Sequence, residues 1–95
     1  MNPLPLGRVV GTPGALSELE KARIAPGLLL ERHRNHDWGT LTPHDQRANQ
    51  QALINGSRVF SVYVLPTGAT IWCITEGTDD TGTRQSTCLL TPSDY

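Results

Sequence analysis

No stretch of this chain approaches the roughly 18 consecutive apolar residues of a membrane helix, so no membrane partner is expected. An excess of charge of one sign is also missing. Eight Lys and Arg stand against nine Asp and Glu, for a net charge of −1. That balance excludes a strongly basic nucleic-acid binder and an acidic mimic of DNA. Lysine is almost absent, Lys21 standing beside seven arginines, a bias that reads as genomic base composition. Two cysteines, Cys73 and Cys88, are too few for a disulfide framework or a four-ligand zinc site. The N-terminus lacks the basic-then-apolar plan of a secretory signal. A cytoplasmic, reducing setting with free thiols is therefore expected. Hydrophobic residues are only 37%, and 95 residues leave room for one core, so the expectation is a single domain, 1–95.

What the chain does have falls into two styles. Residues 12–55 carry helix signals, and residues 57–92 carry strand signals. Thr12-Pro13 opens the first helix, with the threonine as cap and proline in the first turn. Ala15, Leu16, Leu19 and Ala22 supply its apolar stripe. The helix stops before Pro26, which begins a second helix through Leu28-Leu29-Leu30 into Glu31-Arg32-His33-Arg34-Asn35-His36. On that helix Leu29 and His33 share a face. Asp37-Trp38-Gly39-Thr40-Leu41 reads as a loop. Thr42-Pro43-His44-Asp45 starts a third helix that ends at Asn55-Gly56. Strands follow at residues 57–65, 70–75 and 86–91. Arg8-Val9-Val10 fits either a short edge strand or an irregular lead-in.

This order predicts an α+β domain, three N-terminal helices packed on one face of a three-stranded antiparallel meander. If the first hairpin closes on Thr67-Gly68, Tyr63 faces Trp72 and Val62 faces Cys73. Phe60, Val62, Val64, Ile71 and Cys73 then form a uniformly apolar face toward the helices. Ser61, Tyr63, Trp72, Ile74 and Glu76 form a mixed aromatic face, open or covered by Leu4, Leu6 and Val9 of the N-terminal segment.

Asp37-Trp38-Gly39, Asn49, Leu53, Gly56, Arg58-x-x-Ser61-x-Tyr63, Gly68-x-x-x-Trp72-x-Ile74-Thr75-Glu76, Thr87-x-Leu89-Leu90 and the closing Asp94-Tyr95 stand in a set order. With Gly11-Thr12-Pro13-Gly14-Ala15-Leu16 before them, they span nearly the whole chain. The set resembles a family of small plasmid-related proteins of mobile genetic elements, some loosely labelled restriction–modification associated. The loop after Glu76 is a few residues longer here than the family pattern. The resemblance implies a mobile-element setting, plasmid or phage, and brings no catalytic residue with it.

The residues themselves offer little chemistry. His33, His36 and His44 are the metal-ligand types present, with no Cys or Glu spaced to join them, and the preferred reading is solvated histidines with no metal. Asp79-Asp80-Thr81-Gly82-Thr83 lacks the alternating acids and closing Glu of a calcium loop. Cys73 lies in a strand without a cationic neighbour, and no phosphate-binding glycine loop appears. No cofactor and no enzyme activity are expected. Arg32, His33, Arg34 and His36 form a small basic cluster that would carry an alternative reading, a nucleic-acid-binding accessory or regulator. Trp38 either plugs the domain or contacts a partner. Trp38, Arg58, Tyr63, Trp72 and Glu76 have the composition of a binding patch. The resulting expectation is a non-catalytic protein-binding module of a mobile element. Its partner would be a host or mobile-element protein, with inhibition of a host defence system, CRISPR or restriction, as the concrete form. A homodimer seam on the same face is the other use of such a patch.

Overall fold

The computed structural model describes residues 2–95. A short strand comes first, β1 (Arg8–Gly11), followed by α1 (Pro13–Ala22), α2 (Pro26–Arg34) and α3 (Pro43–Asn55). Strands β2 (Val59–Val64), β3 (Thr70–Thr75) and β4 (Ser86–Leu90) and a 3-10 turn (Pro92–Asp94) complete the chain. The helix starts follow from local chemistry. Thr12 Oγ1 accepts the Ala15 N–H at 3.1 Å, and Thr42 Oγ1 accepts the Asp45 N–H at 3.2 Å. Gly56 takes the left-handed conformation that ends α3, its N–H bonded to the Ala52 carbonyl.

The sheet is four-stranded and mixed, in the order β1-β4-β3-β2, with β1 parallel to β4. This corrects the three-stranded antiparallel meander expected from the sequence. The helices also lie between strands in the chain, not ahead of all of them. The physical reason is the bare edge that a meander would leave on β4. The N-terminal segment fills it. The Arg8 N–H bonds to the Gln85 carbonyl and the Thr12 N–H to the Leu89 carbonyl, each at 2.9 Å. Thr87 Oγ1 adds a bond to the Leu6 carbonyl at 2.7 Å.

A second correction concerns register. Val62 pairs with Trp72, Tyr63 with Ile71 and Ser61 with Cys73, one residue away from the expected pairing. Pro66 explains the slip. It has no N–H, so the hairpin closes through the Leu65 N–H on the Ala69 carbonyl. Pro66-Thr67-Gly68 is then a three-residue loop with Gly68 at φ +90°. A slip of one residue exchanges the faces of β2. Val59, Ser61 and Tyr63 turn toward the helices, and Phe60, Val62 and Val64 turn away.

Two apolar clusters hold the layers together. Ala15 and Leu19 of α1 and Leu29 of α2 pack on Tyr63, Ile71, Cys73 and Leu89. Leu4, Trp38, Leu41 and Ala52 gather around Val59. Burying a leucine such as Leu19 contributes about 2 kcal/mol. The outer edge of β2 is closed by side chain and loop. The Asn49 amide donates to the Phe60 carbonyl at 2.6 Å and accepts its N–H at 3.1 Å. The Trp38 carbonyl and Thr40 N–H pair with Val62 in the same way, at 3.0 and 2.9 Å.

Ile74 pairs with Cys88, and Cys73 with Leu89, so the two cysteines sit on opposite faces. Cys73 is buried and Cys88 half-buried. Burial pushes the Cys73 thiol up to about 12. A thiol reagent should therefore modify Cys88 in the native protein and reach Cys73 only on unfolding. Equal labelling rates at both, read by mass spectrometry, would place Cys73 outside the core.

Candidate protein-binding cleft

The sheet face turned away from α1 and α2 carries an aromatic cluster. Phe60 projects from β2 and Trp72 from β3, with ring centroids 5.2 Å apart and planes at 75°. Tyr95 meets Trp72 from the other side, at 5.6 Å and 70°. Both are edge-to-face geometries favoured by ring quadrupoles. Arg58, just ahead of β2, donates from Nη2 to the Tyr95 hydroxyl at 3.0 Å and lies 5.9 Å from its ring centroid. That hydrogen bond raises the Arg58 pKa, with the nearby Glu76 charge adding to it. Leu41 and Ile74 form the floor between these rings and α3, enclosing a cleft of about 410 Å³.

Tyr95 is held by the turn before it. Asp94 Oδ2 accepts the Thr91 N–H at 3.0 Å and the Thr12 hydroxyl at 2.6 Å, which ties the C-terminal turn to the start of α1. Those bonds keep the Asp94 carboxyl below the usual carboxylate range. Tyr95 nevertheless stays 71% exposed.

Of the five residues expected in a binding patch, Arg58 and Trp72 line this cleft, and Glu76 lies near enough for its charge to act on Arg58. Trp38 and Tyr63 do not line it, being 6% and 1% exposed. Trp38 fills the second apolar cluster and stacks on His36 at 5.3 Å. The Tyr63 hydroxyl donates to the Asp37 carbonyl at 2.6 Å, and burial pushes its phenol well above the usual range. Phe60 takes the place expected for Tyr63, as the register requires. Tyr95, the other newcomer, was visible as the end of the chain but had no strand to place it.

The basic cluster is dispersed. Arg32 pairs with Asp37 at 2.7 Å and covers the Tyr63 ring at 4.6 Å, while Arg34 pairs with Glu31 at 3.3 Å. His33 is fully buried and His44 is exposed. No group of three or more His, Cys, Asp or Glu among the described residues is placed to hold a metal ion.

His33 instead anchors a buried polar chain running across β2, β3 and β4. Thr87 Oγ1 donates to the Leu6 carbonyl, so it accepts from Thr75 Oγ1 at 2.6 Å. Thr75 then accepts from His33 Nε2 at 2.8 Å, and His33 Nδ1 accepts from the Ser61 hydroxyl at 2.5 Å. One carbonyl thus orients four side chains and selects the neutral Nε2–H tautomer. Ser61 and His33 have the spacing of a nucleophile and its base. Both are fully buried, and their bonds tie α2 to the inner face of the sheet.

No helix among the described residues is long and apolar enough to cross a membrane. No protein-family model matches this chain, and no curated protein or solved structure matches it either.

Proposed function

We propose that the protein is a non-catalytic binding module whose contact surface is the Phe60–Trp72–Tyr95 cleft rimmed by Arg58 and Glu76. The observation that supports this reading is an aromatic cluster left partly open on one sheet face, with an arginine stacked at its edge. Aromatic anchors with Arg beside them are the groups that dominate protein contact surfaces. A host protein acted on by a mobile element, such as a defence nuclease, is the partner class drawn from the resemblance. A second copy of the chain would use the same surface.

The test is the double variant Trp72→Ala and Tyr95→Ala. Truncating such an anchor costs about 2 kcal/mol of binding or more, roughly thirtyfold in affinity. A partner captured by the wild-type chain, or a dimer seen by sedimentation, should be lost from the variant. Circular dichroism should show the fold retained, since Trp72 lies outside both apolar clusters and Tyr95 is mostly exposed. Undiminished association by a folded variant would remove this face as the contact surface. Salt-dependent binding of DNA with no protein partner would turn the reading toward nucleic acid.

A further inference from the structure

A second cleft, of about 710 Å³, lies between the N-terminal segment and the C-terminal end of α3, and its lining is chemically unlike the aromatic face. Pro3, Leu4 and Pro5 form one side, and Leu53 and Ile54 the other. Its volume falls within the range of about 300–1,000 Å³ typical of small-ligand sites. Ile54 is 81% exposed, the most exposed of the chain's large hydrophobic residues among those described.

Asn2, His36, Gln50 and Arg84 supply its polar lining, and two of these have unmet hydrogen-bonding capacity. The first is Arg84, only 7% exposed. Its guanidinium donates to the carbonyls of Ser57 and Glu76 from Nη1, at 2.7 and 3.0 Å, and to that of Ala52 from Nη2, at 3.0 Å. Those bonds occupy three of five N–H donors. No carboxylate among the described residues pairs with it. A buried cation satisfied only by neutral carbonyls retains its net charge, and that charge favours an anion nearby. The second is His36, held at φ +69° just past α2. Its ring lies flat on Trp38, and its buried Nε2 has no hydrogen-bond partner among the described residues. Buried polar nitrogens are rarely left so.

We propose that this cleft binds a small organic carboxylate carrying a short apolar chain, with the carboxylate on Arg84 beside the His36 ring and the chain against Leu53, Ile54 and Pro5. The unbalanced cation calls for an acceptor-rich anion, and a carboxylate supplies one. The aliphatic and proline walls call for a hydrocarbon body. Inorganic anions supply the first feature without the second, and alcohols the second without the first.

The experiment is a titration of the whole protein followed by amide NMR shifts, at constant pH and ionic strength. The probes are sodium hexanoate, hexan-1-ol and sodium phosphate. Hexanoate should give saturable shifts at His36, Leu53, Ile54 and Arg84. Hexan-1-ol should bind roughly tenfold more weakly, the loss of one charge-assisted hydrogen-bond set. Phosphate should leave these amides unmoved. Ile54→Glu places a competing carboxylate on the wall at an exposed position, so the fold should persist while hexanoate binding is lost. Equal binding of hexan-1-ol overturns the proposal, as does phosphate shifting the same amides. Absence of saturable shifts, or hexanoate binding unchanged in Ile54→Glu, overturns it as well.

Discussion

At pH 4 the protein should be about 3 kcal/mol less stable than at pH 7, with His33 as the source. Its imidazole is fully buried, and its folded-state pKa is pushed down to about 4. Burial is the main cause, with the charges of Arg84 and His36 adding to it. The unfolded chain has an ordinary imidazole with a pKa of 6.5, so it takes up the proton first as the pH falls. Stability is therefore full above about pH 6.5, declines down to about pH 4, and is flat with respect to this group below that. The lowered carboxylates Asp37 and Asp94 act in a different window, because their contribution disappears only below the ordinary value of 3.8. Protonation would also break the chain chemically. His33 Nδ1 accepts from Ser61, and an imidazolium has no lone pair to accept with. Urea midpoints measured from pH 7 to pH 4 test this. In His33→Phe the slope between pH 6.5 and 4 should vanish. The variant should lose about 2–4 kcal/mol at pH 7 because the buried Ser61 hydroxyl loses its acceptor and Thr75 Oγ1 loses its donor. A wild-type midpoint that does not move over this range, or an identical slope in the variant, would show that His33 is not a buried neutral base.

The same histidine shows where the sequence was legible and where it was not. Helix signals are local, and Thr12-Pro13, Pro26, Thr42-Pro43 and Asn55-Gly56 mark ends that the structure reproduces. The strands expected at residues 70–75 and 86–91 are equally local, and the structure has them at Thr70–Thr75 and Ser86–Leu90. Which face of a strand is buried is not a local property. Ser61 was expected on the mixed aromatic face, and Thr75 and Thr87 are as polar, yet each is fully buried, with His33 of α2 bonding Ser61 and Thr75, and Thr75 bonding Thr87. The placement of Leu29 and His33 four residues apart on one helix face already aimed that imidazole inward. Its polarity argued for solvent, and the polarity of the strand face argued for solvent too. The two signals are wrong separately and right together. Pro66 carried the other missing information, since a residue without an N–H cannot close a two-residue hairpin. From that one position follow the pairing of Tyr63 with Ile71 and the inward turn of Tyr63. The outward turn of Phe60 onto Trp72 follows as well. The parallel docking of β1 had no such marker. Val9 and Val10 are 43% and 42% exposed, and only backbone bonds to residues far along the chain place them.

Gly39→Ala should destabilise the protein by about 4 kcal/mol or more, against about 1 kcal/mol for Gly68→Ala. Both glycines have positive φ, +76° and +90°, so both substitutions carry the backbone penalty of the left-handed region. They differ in their surroundings. A Cβ on Gly68 meets nothing within 4 Å, whereas one on Gly39 would lie 1.9 Å from the Val62 carbonyl oxygen. Real Cβ contacts essentially never fall under 3.0 Å, so loop and strand must separate by about an ångström. That carbonyl accepts the Thr40 N–H at 2.9 Å, and the Val62 N–H donates to the Trp38 carbonyl at 3.0 Å. Both bonds would weaken, each contributing about 1 kcal/mol. The larger loss is Trp38. It is held 6% exposed in the cluster with Leu4, Leu41 and Val59 by that same bridge, and a displaced loop withdraws it. Emptying such an aromatic site costs about 3–5 kcal/mol when no side chain can refill it. The readout is the urea midpoint together with tryptophan emission in a Trp72→Phe background, where Trp38 alone reports. The red shift of an exposed indole should appear in Gly39→Ala before global unfolding and should be absent in Gly68→Ala. Equal costs at the two glycines would mean that the loop does not lie on β2, and that the outer edge of the sheet is open.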